Sequence, residues 1–262
     1  MPKPAEKKRF NWRLLLAILA GLMLFASTAY AARRVQSMLL ANERFFLVPL
    51  TESGVPGVRV EGNRYASRDR ILLAFAADLN RSIFSVPLAE RRRRLLAIDW
   101  IEDASVLRVW PNQLIVKVKE RRPVAFAKLP IGVSGQFRYL LIDGQGVLMS
   151  VPRERFDFPV LTGITEDQRD AERKTRVVSL QQVLHELGPS AAAMISEVNI
   201  ASPQDVRISA KVGGRAVELW LGDRNYLARF QNFTGHFDEI ARGTDEASVF
   251  DLRIDGQITT IR

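Results

Sequence analysis

A chain of 262 residues with 47% hydrophobic and 26% charged residues is too apolar to stay disordered, and its length suits one elongated or two small domains. It has no cysteine, which excludes disulfide staples and thiolate metal sites. The net charge of +9 invites a nucleic-acid reading, but residues 1–34 hold seven basic residues and one acidic residue, leaving 31 against 28 in the rest, so most of the excess is a membrane-topology signal.

The first element is the run Leu14–Ala32, nineteen uncharged residues bounded by Arg13 and by Arg33-Arg34. As a helix it covers about 28 Å, close to the hydrocarbon thickness of a bilayer. Residues 1–13 carry Lys3, Lys7, Lys8, Arg9 and Arg13 against Glu6, so this tail is expected in the cytoplasm and the bulk of the chain across the membrane. A single uncleaved anchor fits the run. So does a signal peptide cleaved at the A-x-A sequence Ala29-Tyr30-Ala31, although the run exceeds the usual h-region of about 7–15 residues. Residues 33–54 read as a juxtamembrane spacer that continues the helix briefly and breaks near Pro49 and Gly54.

From Val55 the character changes. Val58-Arg59-Val60 alternates as a strand and Gly62-Asn63 ends it. Ser67 suits the N-cap of a helix with Ile71, Leu72, Phe75 and Leu79 on one face. Ser85 and Pro87 open a second helix with Leu88, Leu95 and Ile98 inward. A hairpin follows, Val106–Trp110 and Gln113–Glu120 around Pro111-Asn112, with Leu114, Val116 and Val118 on its apolar face. Strand, helix, helix and hairpin make a compact α+β module.

Past Pro123 strands predominate. They are expected at 137–142, 146–149, 196–201, 205–212 and 215–221, with a short apolar piece at 158–163. One helix spans 166–187 and is stopped by Gly188-Pro189. Another spans 225–242 with Leu227, Phe230, Phe237 and Ile240 inward. The last strands are expected at 251–254 and 257–261. A terminal strand of this kind can leave an edge open to a strand from another protein, with Leu252, Ile254 and Ile258 offering apolar contacts. It can equally be a short edge protected by Arg253, Asp255 and Arg262.

No catalytic, cofactor-binding or metal-binding residue is expected. His185 and His236 stand alone in helices, and no metal-binding spacing, nucleophile elbow or phosphate loop occurs. The adjacent acids Glu102-Asp103 and Asp238-Glu239 do not face each other. Arg91 to Arg94 is the sharpest charge run, readable as a patch for phosphate, headgroup or acidic partner, or as the solvated face of the second helix. Trp100 and Trp110 can be read as a binding stack, but at the ends of apolar runs they read more readily as lids on a core.

Several phrases together resemble the FtsQ/DivIB bacterial cell-division family. They are Val58-Arg59-Val60-Glu61-Gly62-Asn63, then Trp100-Ile101 with Ala104, Val106, Arg108, Trp110-Pro111 and Leu114, then Val116 to Ala125, which contains the Glu120-Arg121-Arg122-Pro123 block. Tyr139-Leu140-Leu141-Ile142-Asp143 with Gly146-Val147, Phe158 to Gly163, and Asp251-Leu252-Arg253 agree in order. Asp99, where many members have proline, and the long segment 46–57 depart from the pattern.

The resemblance implies an α+β chain with an N-terminal single transmembrane helix (14–32, after a cytoplasmic tail 1–13), a POTRA domain (55–124), and then a mainly β domain with two helices (125–262). It further implies a non-enzymatic divisome scaffold in the cytoplasmic membrane at the septum, with no cofactor and no nucleic acid. Its partners would be FtsB/DivIC-like and FtsL-like single-pass proteins and, in some members, septal peptidoglycan synthases. The capturing edge maps to Asp251, Leu252, Arg253, Ile254, Asp255, Gly256, Ile258 and Thr260. The alternative is a POTRA-bearing secretion or outer-membrane transport component with a cleaved signal peptide.

Overall fold

A computed structural model describes residues 12–48, 57–132, 135–243 and 248–261. The breaks expected at Pro49 and Gly54 lie outside these residues. Helix α1 runs Trp12–Ala41, about 45 Å of helix, and its segment Leu16–Ala41 is long and apolar enough to cross a membrane. The chain divides into two compact units, the first built from residues up to Asn63, Ser67–Leu96 and Asp103–Val118, the second from Arg64–Ala66, Ala97–Glu102 and Lys119 onward.

In the first unit, β1 (Val58–Glu61) lies parallel to β3 (Gln113–Glu120), and β2 (Ile101–Val109) is the neighbour on the other side of β3. Alternation explains the packing: Val58, Val60, Leu114, Val116 and Val118 are buried while Arg59 and Lys117 are exposed. Ser67 caps α2 (Arg68–Leu73), its side chain accepting from the Arg70 N–H. That helix is shorter than its apolar spacing suggests, and Phe75 is buried just beyond its end.

Helix α3 (Leu88–Leu96) leaves Arg92, Arg93 and Arg94 exposed, as the solvated-face reading expects, and departs from that reading at Arg91 alone. Arg91 falls on the stripe Leu88, Arg91, Leu95 and is 5% exposed, bound through Nε and Nη2 to both carboxylate oxygens of Asp78 at 2.6 and 2.9 Å. Arg92 donates to the Ala104 carbonyl and pairs with Asp103, and Arg94 pairs with Glu90. Three of the four arginines therefore have partners inside their own unit. Trp110, expected as a lid, is instead 65% exposed, whereas Trp100 in the second unit is buried with its Nε1–H on the Ser150 carbonyl.

Among the described residues, the second unit carries a nine-stranded sheet. Its strands are β4 (Pro123–Ile131), β5 (Gln136–Asp143), β6 (Leu148–Met149), β7 (Val160–Thr162), β8 (Ile195–Asn199), β9 (Val206–Val212), β10 (Arg215–Gly222), β11 (Val249–Asp251) and β12 (Thr259–Ile261). Their order is β12-β11-β10-β9-β8-β7-β4-β5-β6. Helices α4 (Asp170–Ala192) and α5 (Tyr226–Gly243) supply Val177, Leu180, Val183, Leu187, Phe230, Phe233 and Phe237 to a core shared with Ala127, Leu161, Val198, Ile208, Leu219 and Phe250 of the sheet. Strand β4 has no separate place in the sequence reading, because its Ala-Phe-Ala-Lys alternation is weakly apolar. The stop expected at Gly188 is real in the backbone: Gly188 leaves the helix at φ 75°, a conformation open to glycine, and a further helical turn follows Pro189. Gly213 and Gly214, both at positive φ, close the β9–β10 hairpin at Val212↔Arg215.

Two of the shared phrases, the Glu120-Arg121 block and Asp143 with Gly146-Val147, are wired together. Glu120 Oε1 accepts from the N–H groups of Arg64, Tyr65 and Ala66 at 2.7–2.8 Å, and Arg121 pairs with Asp143, whose other oxygen accepts from Gln145 and Val147. Asp99 accepts from the Ser150 N–H and hydroxyl, one use for the residue that replaces proline.

Candidate partner-binding edge

The C-terminal strands differ from expectation in position. β11 begins at Val249 and ends at Asp251, so the expected strand 251–254 is mostly a turn, and the edge strand is the three-residue β12. β11 lies parallel to β10 and antiparallel to β12 in the register Val249↔Ile261, Phe250↔Thr260, Asp251↔Thr259. Among the described residues, β12 has a neighbour on one side alone. In an antiparallel pair, successive residues direct their N–H and C=O groups alternately toward and away from the partner strand, so part of β12's hydrogen-bonding capacity points outward.

The eight expected residues divide into three groups. Leu252 is 1% exposed and belongs to the core, which removes it from any partner surface. Asp251, Arg253 and Asp255 hold the turn in place. Ile254 (64% exposed), Gly256 and Thr260 face outward, with Ile258 half-buried against the core.

Two ion-pair latches hold the turn. Arg253 engages Asp251 through Nε and Nη2, pairs with Asp205 at 3.6 Å, and lies over the Trp220 ring, which Arg207 also faces at 3.8 Å. On the other side Asp255 accepts from Arg229 Nε at 2.7 Å and from Asn225 Nδ2 at 3.0 Å, while Arg229 also donates to the Leu221 carbonyl. Arg229 is buried on α5's apolar stripe, so the turn is tied to the same helix that packs beneath β11.

The electrostatics follow from these contacts. Hydrogen bonds from Arg253 hold the Asp251 carboxyl below its ordinary value, with partial burial opposing. The hydrogen bond from Arg229 does the same for Asp255, helped by that arginine's charge. A carboxylate depressed in the folded state adds stability that is fully present above its unfolded-chain pKa of about 3.9, and loses it as pH falls through the lower folded value. The melting temperature is therefore expected to hold level from about pH 7 to 5 on the latches' account. It falls below about pH 4, and Asp255→Asn flattens part of that fall when measured by circular dichroism.

Arg229, Arg207, Asp205 and Trp220 were missed from the sequence. Arg229 left a trace, a charge on the stripe Tyr226, Phe230, Phe233, Phe237, whereas Arg207, ion-paired with its near neighbour Asp205, meets Trp220 only through strand pairing. His185 and His236 are both exposed. Among the described residues, no group of three or more His, Asp or Glu side chains is placed to hold a metal ion.

A helix long and apolar enough to cross a membrane, a small α+β unit and a β-rich unit fit the class of POTRA proteins. Family models agree: residues 54–121 match the FtsQ-type POTRA domain, and residues 133–253 match the C-terminal region of cell division protein FtsQ/DivIB. The chain belongs to the FtsQ/DivIB cell-division family, whose C-terminal match favours a divisome role over the secretion alternative. The cell division protein FtsQ of Koribacter versatilis is 34% identical over 77% of this chain and 58% of its own length. That of Geobacter sp. is 24% identical over 95% and 89%, and that of Zymomonas mobilis 28% over 99% and 76%. The chain thus spans little more than half of the Koribacter relative. Strand β12 lies past the residues matched by the C-terminal family model.

Proposed function

We propose that this chain is a non-enzymatic divisome scaffold that recruits and regulates septal cell-wall synthesis partners by protein contacts. Its tail 1–13 lies in the cytoplasm, and its two units lie across the cytoplasmic membrane at the septum. FtsB/DivIC-like and FtsL-like single-pass proteins are the partners, with septal peptidoglycan synthases as further contacts. The observation that carries this reading is the open side of β12. A partner segment adds there as a further strand, its main chain supplying hydrogen bonds and Ile254, Ile258 and Thr260 supplying side-chain contacts. Asp251, Arg253, Asp255 and Gly256 act through the shape of the turn.

Proline substitution tests this with an internal control. Thr260 and Ile261 are neighbours, so the N–H of one points toward β11 and that of the other toward solvent. Strand addition predicts that one of Thr260→Pro and Ile261→Pro keeps the melting temperature yet loses septal recruitment of an FtsB-like fusion in cells. Recruitment surviving both changes contradicts it.

A further inference from the structure

Where α1 meets the first unit, three aromatic rings from distant parts of the chain come together. Phe45 lies 5.3 Å from both Phe84 and Trp110, and Phe84 lies 5.6 Å from Trp110, all edge to face. The fold holds them there firmly. Arg108 donates to the Ile83 and Val86 carbonyls and pins the turn that carries Phe84, while the Ser82 hydroxyl donates to the Leu39 carbonyl of α1. Leu47 N–H bonds to the Arg81 carbonyl, and Asn80 N–H to the Leu47 carbonyl. The end of α1 is thereby fixed to the unit.

This cluster is not a closed core. Trp110 is 65% exposed, the nearby strand residue Leu107 is exposed, and so is Arg44 beside Phe45. Between Phe84 and α1 runs a groove of about 500 Å³ lined by Ala31, Ala32, Val35, Gln36, Leu39 and Leu40. These residues form one stripe of the helix that starts at the end of the uncharged run and rises to the aromatic cluster. From Ala32 to Leu39 the helix climbs about 10 Å. The headgroup region adds roughly 5–8 Å beyond the hydrocarbon on each side, so the cluster stands at its outer surface or just above it. The amphipathic Trp110 indole at that level, backed by two apolar phenylalanine rings and flanked by Arg33, Arg34 and Arg44, suits a membrane interface.

We propose that Phe45, Phe84 and Trp110 form an interfacial foot that seats the first unit on the lipid headgroup layer, with α1 as its fixed strut. The lipid surface is the occupant because the groove is continuous with the membrane-crossing segment itself. The inference rests on α1 crossing the bilayer, and is independent of strand capture at β12.

The test uses the full chain in lipid vesicles carrying a nitroxide either on the headgroup or near the acyl terminus. Trp110 emission is obtained as the difference between the chain and its Trp110→Phe variant. This exposed substitution leaves Trp12, Trp100 and Trp220 as a common background. The foot predicts loss of most Trp110 emission with the headgroup label and little with the deep label, and partial recovery in Phe84→Ala. Undiminished emission with both labels, in a chain that still floats with the vesicles, overturns the foot while the membrane span stands. The same holds if Trp110 responds only to a co-reconstituted single-pass protein. A chain that fails to float overturns the span and the foot together.

Discussion

Arg91→Ala is expected to destabilise the first unit by about 3–5 kcal/mol, because it strands the buried Asp78 carboxylate without its counter-ion. The two side chains are 6% and 2% exposed, and the guanidinium makes its two shortest contacts to that one carboxylate and a longer one, 3.2 Å, to Glu90. Water cannot replace the lost donors without opening the packing around Leu95 and Phe75. Urea titration followed by circular dichroism measures the loss. Asp78→Leu combined with Arg91→Met is expected to recover most of it, since a buried pair exchanged for apolar side chains of similar volume is often neutral. A single-substitution loss below about 1 kcal/mol would show that the pair is more hydrated than its burial indicates.

Phe233→Ala is the second large effect, at about 3–5 kcal/mol. Phe233 is fully buried on α5, with its ring 4.9 Å from Phe250 and 5.7 Å from Phe237. Phe250 is the middle residue of β11, the strand on which β12 depends, so the cavity opens beneath the candidate edge. The change should therefore weaken the edge as well as the unit. Hydrogen exchange of the β11 and β12 amides is expected to accelerate more than that of β4 and β5, which lie at the other end of the sheet. Uniform acceleration would instead mean that the sheet opens as one cooperative block.

What the sequence conveyed was set by the range of the interactions involved. Periodicity located α1, the hairpin ending at Glu120, the β9–β10 hairpin and both helices of the second unit, because each is encoded within a few residues. The stripe that carries half-buried Leu88 and buried Leu95 also contained Arg91, but a run of four like charges reads as solvated until Asp78, thirteen residues away, is seen to meet it. Trp110 illustrates the converse. An apolar run ending in tryptophan looks like a core lid, and its exposure follows from where Phe45 and Phe84 arrive in space.

The candidate edge was partly readable. A terminal strand was expected and one is present, yet its pairing begins two residues earlier than expected, at Val249. Leu252 was assigned to a partner surface because strand alternation puts every second residue on the same face, and the turn after Asp251 breaks that alternation and buries it. Arg253 and Asp255, read as charges guarding an edge, are the anchors of the turn. No local pattern encodes their partners, Trp220, Asp205 and Arg229.

The measurement that bears most directly on strand capture is photo-crosslinking in living cells, with a reactive side chain placed in turn at Ile254, Ile258 and Thr260 and a control at exposed Lys119. The proposal predicts an adduct to a small single-pass division protein from the three edge sites and none from Lys119. A stable, membrane-bound chain that gives no adduct at any edge site, or the same adduct from Lys119, would contradict capture at β12.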